Sequence, residues 1–121
     1  MISAIEEHFG KQISRYIEGI QTQYVIKTNR RKFVYDFRLG DKIVEFDGDY
    51  WHANPAIYEH DDYIGERSGK PMIASDIWAS DAEKILAAEQ HGFQVLRVWE
   101  SEYKEAPKTT IRKCEKFLLG I

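Results

Sequence analysis

Apolar residues recur at helical spacing near the start of the chain: Ile2, Ile5, Phe9, Ile13, Tyr16 and Ile20. This spacing predicts a helix over residues 3–18, with Gly19 as its stop. Gln23 to Lys27 reads as a strand. From Phe33 to Gly48 the pattern is that of two strands joined by a Gly40-Asp41 loop, where Gly at the first position suits a type II′ turn. Residues 49–75 then read as a long, irregular and mostly polar stretch. Connections beyond about 12–15 residues are uncommon in compact domains and often functional. Residues 76–91 return to helix, with Gly92 as the C-terminal cap. Phe93-Gln94-Val95-Leu96-Arg97-Val98-Trp99 is a strand rich in β-formers. Pro107 opens a last helix that runs to about Leu118, as suits proline in a first helical turn. The order is helix, three strands, helix, strand, helix, which predicts a layered α/β domain spanning 1–121.

The hairpin carries the most chemistry. Paired through its turn, Leu39 faces Lys42, Phe37 faces Val44 and Asp36 faces Glu45. Alternation puts Glu45 and Asp47 on one face, and Asp36 joins them from across the ladder. Like charges directly opposed destabilise a sheet. Three carboxylates among Phe, Val, Ile and Tyr therefore call for a compensating cation, and a hard divalent ion with oxygen ligands suits them.

Composition changes this picture little. The 121 residues suffice for one core, and 43% hydrophobic with 31% charged residues is an ordinary globular balance. The net charge of −3 excludes a uniformly basic nucleic-acid binder. It does not exclude a nuclease, whose site must itself carry acidic ligands. Lys27, Arg30, Arg31 and Lys32 form a compact basic cluster just before the acidic hairpin. It reads either as a solvated turn or as a phosphate contact. Cys114 is the only cysteine, so an internal disulfide and a cysteine-based structural zinc site within one chain are excluded. No apolar run approaches the roughly 20 residues that span a bilayer. The N-terminus lacks the basic and apolar regions of a signal peptide. An intracellular, cytoplasmic protein is expected.

Several polar residues sit against their own pattern. At ~100° per residue, Glu6 falls between Ile2, Phe9 and Ile13 on the inner side of the first helix, and Glu7 falls outside. Ser3-Ala4-Ile5-Glu6 also fits a capping box. Asp81 points inward, between Ile77, Trp78, Ile85 and Ala88. A buried carboxylate needs a partner, which is either Lys84, one turn on, or a histidine that Asp81 orients. Trp51-His52 follows the acidic strand directly, placing His52 beside three carboxylates, where a neutral imidazole can act as a general base. His60, amid acidic neighbours, is a weaker rival. Trp99 and Trp51 are expected in the core, with Tyr50 at the edge of the site.

With these residues in place, the chain resembles the PD-(D/E)XK nuclease superfamily. More narrowly, it resembles the very-short-patch repair endonucleases and the phage homing endonucleases with an EDxHD site. The resemblance runs from Glu6 through Trp99. It is carried by Val44-Glu45-Phe46-Asp47-Gly48-Asp49-Tyr50-Trp51-His52, by Asp81, and by Gly92-Phe93-Gln94-Val95-Leu96-Arg97-Val98-Trp99-Glu100. It implies a restriction-endonuclease-like core, a mixed β-sheet flanked by helices in the order αβββαβα. By position, the family's helix glutamate is Glu6, its metal-binding aspartate Asp36, its histidine His52 and its late aspartate Asp81. Two departures stand out. The superfamily's lysine after the acidic strand is replaced by Asp47, which leaves the base role to His52 or to a migrated Lys84. The cysteines that hold zinc in the repair enzymes are also missing, which places the chain nearer the homing enzymes.

The resemblance thus implies a metal-dependent endodeoxyribonuclease acting on double-stranded DNA. Asp36, the Phe46 carbonyl and one of Glu45 or Asp47 are expected to hold Mg²⁺, with Mn²⁺ as a substitute. Glu6 is expected to hold a metal-bound water or a second ion. A chain of this length leaves little room for sequence reading, so a homodimer or an additional DNA-recognition domain is expected to supply it. The alternatives are a mismatch or repair nicking enzyme on the same fold, and a non-catalytic nucleic-acid-binding module.

Overall fold

A computed structural model describes residues 2–121. Helix α1 (Ala4–Ser14) starts at Ser3, whose Oγ accepts the Glu6 N–H at 3.2 Å. It ends five residues before Gly19, the expected stop. Tyr16 is exposed, while Ile17 is turned back into the core beside Ile13, so the apolar spacing continues past the helix without helical backbone. Strands β1 (Gln21–Lys27), β2 (Lys32–Leu39) and β3 (Lys42–Asp47) follow as an antiparallel meander. Gly40 takes a positive φ of 59°, as a primed hairpin turn requires. The pairs Leu39↔Lys42 and Phe37↔Val44 form as the turn predicts.

The segment expected to be irregular contains a second hairpin, β4 (Tyr63–Arg67) and β5 (Lys70–Ile73). Its turn residues, Ser68 and Gly69, both have positive φ, the pattern of a type I′ turn. An isolated two-stranded hairpin is marginal in water. This one is held by a small cluster of Ala53, Ile64, Ala74 and Ile77, against which Trp78 packs. Helix α2 (Ala74–Gln90) grows directly from β5, two residues earlier than expected, and Gly92 closes it at a φ of 88°. Strand β6 (Gln94–Trp99) lies parallel to β3. A short helix α3 (Glu100–Glu105), absent from the sequence reading, precedes α4 (Pro107–Leu119).

The result is a mixed four-stranded sheet in the order β1-β2-β3-β6, flanked by helices. On one face, Phe9 and Ile13 of α1, Tyr103 of α3, and Cys114 and Leu118 of α4 cover Phe37, Val44, Phe46 and Val98. On the other, Ala87 and Ala88 of α2 cover Ile26, Phe33, Tyr35 and Ile43. Cys114 is a buried free thiol, pushed up to about 12 by burial, which makes it a packing residue. Among the described residues, no helix is long and apolar enough to cross a membrane.

Candidate metal and catalytic site

The site forms where the β2–β3 ladder opens. The pairing stops at Phe37↔Val44, so Asp36 and Glu45 are not a ladder pair. Tyr35 and Phe37, two positions apart on β2, belong to opposite core faces, which shows that the alternation breaks at Asp36. Side chains replace the missing ladder bonds. The Asp36 N–H donates to Glu45 Oε1 at 2.7 Å, and the Phe46 N–H donates to Asp36 Oδ2 at 2.8 Å. Each carboxylate is thus met by a backbone donor of the facing strand, which offsets the repulsion that direct opposition would create. The N–H and C=O of one strand residue lie on the same edge, so the Phe46 carbonyl opens toward the same gap.

Asp36, Glu45 and Asp47 each present an oxygen within 4.8 Å of the others'. Glu45 and Asp47 are almost fully buried. Glu6 reaches this trio from α1, close enough to share a hydrogen bond with Asp36. The Ser3 side chain caps the helix, as the S-x-x-E pattern suggests, but the Glu6 carboxylate is part of the acidic group.

Asp81 and Lys84 enter from α2 without pairing with each other. Asp81 Oδ2 lies 2.9 Å from His52 Nδ1, while Lys84 Nζ lies 2.7 Å from Glu45 Oε2. The turn of α2 that carries Lys84 is pinned by Tyr35, whose hydroxyl donates to the Lys84 carbonyl at 2.6 Å. Arg97 of β6 completes the group. It donates to Asp47 Oδ2 at 2.6 Å and to Asp81 Oδ2 at 3.2 Å.

His52 sits on a tied-down loop. Its N–H bonds to the Gly48 carbonyl at 3.1 Å, and Ala53 next to it takes a left-handed φ of 48°. The Trp78 indole donates to the Ala53 carbonyl at 2.6 Å. Asn54 donates to Asp49 Oδ1 at 2.8 Å, and Asp49 in turn accepts from the Ser101 N–H and hydroxyl. Arg67 of β4 bonds to the Trp51 carbonyl. The second hairpin and α3 therefore buttress the histidine loop.

Electrostatics mark the acidic group as undercompensated. Burial, with Glu6 beside it, pushes the Asp36 carboxyl up to about 7. Burial and Asp36 push Glu45 up to about 7 as well. Burial also raises Glu6, an effect that the Asp36 hydrogen bond reduces and the charges of Glu45 and Asp47 increase. Lys84 rises despite its burial, because Glu45 favours its charged form. Burial opposes charge on His52 too, but the Asp81 hydrogen bond and the Asp47 carboxylate outweigh it and the imidazole rises. Five carboxylates, Glu6, Asp36, Glu45, Asp47 and Asp81, thus share two permanent cations, Lys84 and Arg97.

A groove of about 390 Å³ is lined by Ser3, Glu6, Phe46, Gly48, Trp51 and His52, among others. The space between Glu45, Asp47, His52, Asp81, Lys84 and Arg97 is only about 10 Å³. Trp51 is 58% exposed on the groove wall and not in the core as expected, because the loop is held by its backbone and by Trp78 instead. Trp99 is half-buried, with the Arg97 guanidinium 4.7 Å from its ring centroid. His60 is exposed and absent from the site.

Lys27, Arg30, Arg31 and Lys32 lie on and around the β1–β2 turn, which Thr28 orders by accepting the Arg30 and Arg31 N–H groups. None of the four joins a salt bridge among the described residues. Because β2 and β3 run antiparallel, this turn is at the same end of the sheet as Asp47. At ~3.3 Å per residue, Lys32 is about 13 Å along β2 from Asp36.

The sequence pattern offers Lys84 only as a partner of Asp81 or as a migrated lysine, and the role of Arg97 is not apparent from it. The signal for Arg97 was present: a lone charge in an otherwise apolar strand between two buried layers. No protein-family model matches the chain, and neither a curated protein nor a solved structure does. The functional reading therefore stands on the geometry of this site.

Proposed function

We propose that this chain is a metal-dependent DNA endonuclease catalytic domain, hydrolysing phosphodiester bonds with His52 as the general base. The observation that carries the reading is the His52–Asp81 hydrogen bond, set beside three converging carboxylates whose charge two protein cations do not balance.

The donor set fits a divalent cation. Asp36, Asp47 and the Phe46 carbonyl are hard oxygen donors, the two carboxylates lie within 4.8 Å of each other, and an ion between them would relieve the field that raises Asp36. Both oxygens of Glu45 are engaged, by the Asp36 N–H and Lys84, whereas Asp47 has Oδ2 engaged by Arg97 and keeps Oδ1 for an ion. Held by Asp36, Asp47 and the Phe46 carbonyl, Mg²⁺ would supply Lewis-acid polarisation of the scissile phosphate and would lower the pKa of a water.

The chain's own residues do the rest. Asp81 accepts the Nδ1–H of His52 and so fixes the ring with its lone pair on Nε2. Nε2 takes the proton of the water that attacks phosphorus, while the bond from phosphorus to the leaving sugar oxygen breaks. Glu6 holds a water at the groove mouth. Lys84 keeps Glu45 in place, and Glu45 in turn holds the Asp36 backbone. Lys27, Arg30, Arg31 and Lys32 neutralise phosphates of a duplex lying across this end of the sheet.

A supercoiled-plasmid assay tests the reading. Relaxation or linearisation with Mg²⁺ or Mn²⁺, and none with Ca²⁺ alone or EDTA, is the expected result. Binding of DNA with no cleavage under any of these metals would favour a non-catalytic binding module. Acceleration by a mismatch would favour a repair nicking enzyme.

A further inference from the structure

Arg97 has no part in the steps above, yet it touches both carboxylates that flank the imidazole. Its Nε donates to Asp47 Oδ2 at 2.6 Å and its Nη2 to Asp81 Oδ2 at 3.2 Å. That Asp81 oxygen also lies 2.9 Å from His52 Nδ1, and Asp47 Oδ1 lies 3.5 Å from His52 Nε2. The four side chains close a ring: His52, Asp81, Arg97, Asp47 and back to His52. The guanidinium lies against the face of Trp99, and the space between the ring and Glu45, Lys84 and Ile85 admits at most one water.

A neutral imidazole has one N–H to place. Here a carboxylate stands at each nitrogen, so the two tautomers compete. An N–H on Nδ1 satisfies Asp81 and leaves the Nε2 lone pair pointing near Asp47. An N–H on Nε2 faces the Asp47 charge 3.5 Å away and removes the lone pair that a base needs on that side. The balance depends on how strongly Asp47 calls for a proton donor. Arg97 answers that call with a shorter bond than the one it makes to Asp81. Its rigid fork can serve both carboxylates at once, which a single ammonium cannot.

We infer that Arg97 is a positioning residue that sets the tautomer of His52, occupying Asp47 so that the ring proton stays on Nδ1 against Asp81 and the lone pair on Nε2. The inference rests on the reading of His52 as the general base, but its test does not.

Nitrogen-15 NMR of histidine-labelled, metal-free protein at alkaline pH reports which ring nitrogen of His52 carries the proton. The wild type is expected to show Nδ1–H. Arg97→Gln is expected to shift population to Nε2–H, Arg97→Lys to fall between, and added guanidinium to move Arg97→Gln back toward the wild type. Single-turnover DNA cleavage by Arg97→Gln should fall about 10–100-fold, the usual cost of losing a residue that orients a catalytic group. If Arg97→Gln does not fold, Arg97→Lys retains the charge and carries the test. An unchanged Nδ1–H tautomer in a folded Arg97 variant overturns the inference, whatever happens to the rate. A wild type that never cleaves DNA overturns the nuclease reading alone, because the tautomer shift still decides the role of Arg97.

Discussion

Lys84 sends its ammonium to Glu45, 2.7 Å away, and leaves Asp81, one helical turn before it, to His52. The pair is well buried, with side-chain exposures of 26% for Lys84 and 6% for Glu45. Removing one partner of a buried pair leaves an uncompensated charge. Lys84→Ala should therefore cost about 3 kcal/mol in metal-free protein, the low end for such pairs because Lys84 is a quarter exposed. The loss should shrink at acidic pH, where Glu45 can take up a proton instead. Urea denaturation at several pH values in EDTA checks this, and an unchanged midpoint would show that the ion pair contributes nothing.

Asp36 is the carboxylate whose removal separates function from fold. Asn at this position keeps an oxygen for the Phe46 N–H and removes one charge from the acidic group. Asp36→Asn is expected to lose Mg²⁺-dependent cleavage while its melting temperature in EDTA stays equal or rises. Full cleavage by this variant would remove Asp36 from the metal site.

The raised carboxyl groups give a pH dependence of defined sign. Asp36 and Glu45 titrate near 7 in the folded protein and in the ordinary carboxylate range when unfolded. The folded state therefore binds more protons across the interval from about 4 to 7, so stability falls as pH rises through it. His52, also raised, contributes stability that is lost as pH rises through its folded value, which is the same direction. Metal-free protein should be less stable at pH 8 than at pH 5, and Mg²⁺ should reduce the difference. Stability rising with pH over this range, after Asp36→Asn is shown to have no effect on the slope, would contradict the electrostatic description.

The hydrogen bond from His52 to Asp81 predicts coupling between them. Asp81→Asn should slow cleavage, and the double variant with His52→Ala should be hardly slower than His52→Ala alone, since residues acting as one unit are strongly non-additive. Independent, multiplying effects in single-turnover kinetics would mean that Asp81 serves the fold through Arg97 rather than the histidine.

Much of this arrangement was legible in the sequence, for identifiable reasons. The Gly40-Asp41 turn set the register of Leu39 with Lys42 and Phe37 with Val44, because a two-residue loop leaves no freedom there. The helical phase of α2 was enough to aim Asp81 inward. What could not be read was the opening of the ladder at Asp36, since it depends on side-chain oxygens of Glu45 and Asp36 replacing backbone partners. The β4–β5 hairpin was hidden because its stability comes from Ile64 packing on Ala53, Ala74 and Ile77, not from alternation along its own strands. The choice of Lys84 between Glu45 and Asp81 needed the distance across the sheet, which no single helix supplies. Arg97 is inconspicuous because core packing alone accounts for the apolar pattern of its strand.

The proposed DNA hydrolysis depends on His52 above any other residue. Single-turnover cleavage of a duplex in saturating Mg²⁺, compared between wild type, His52→Ala and Lys84→Ala, tests it most directly. A loss of roughly 10²-fold or more is expected for His52→Ala, with Mg²⁺ affinity little changed. Wild-type rates in a folded His52→Ala, with Lys84→Ala inactive, would contradict it and move the base to Lys84.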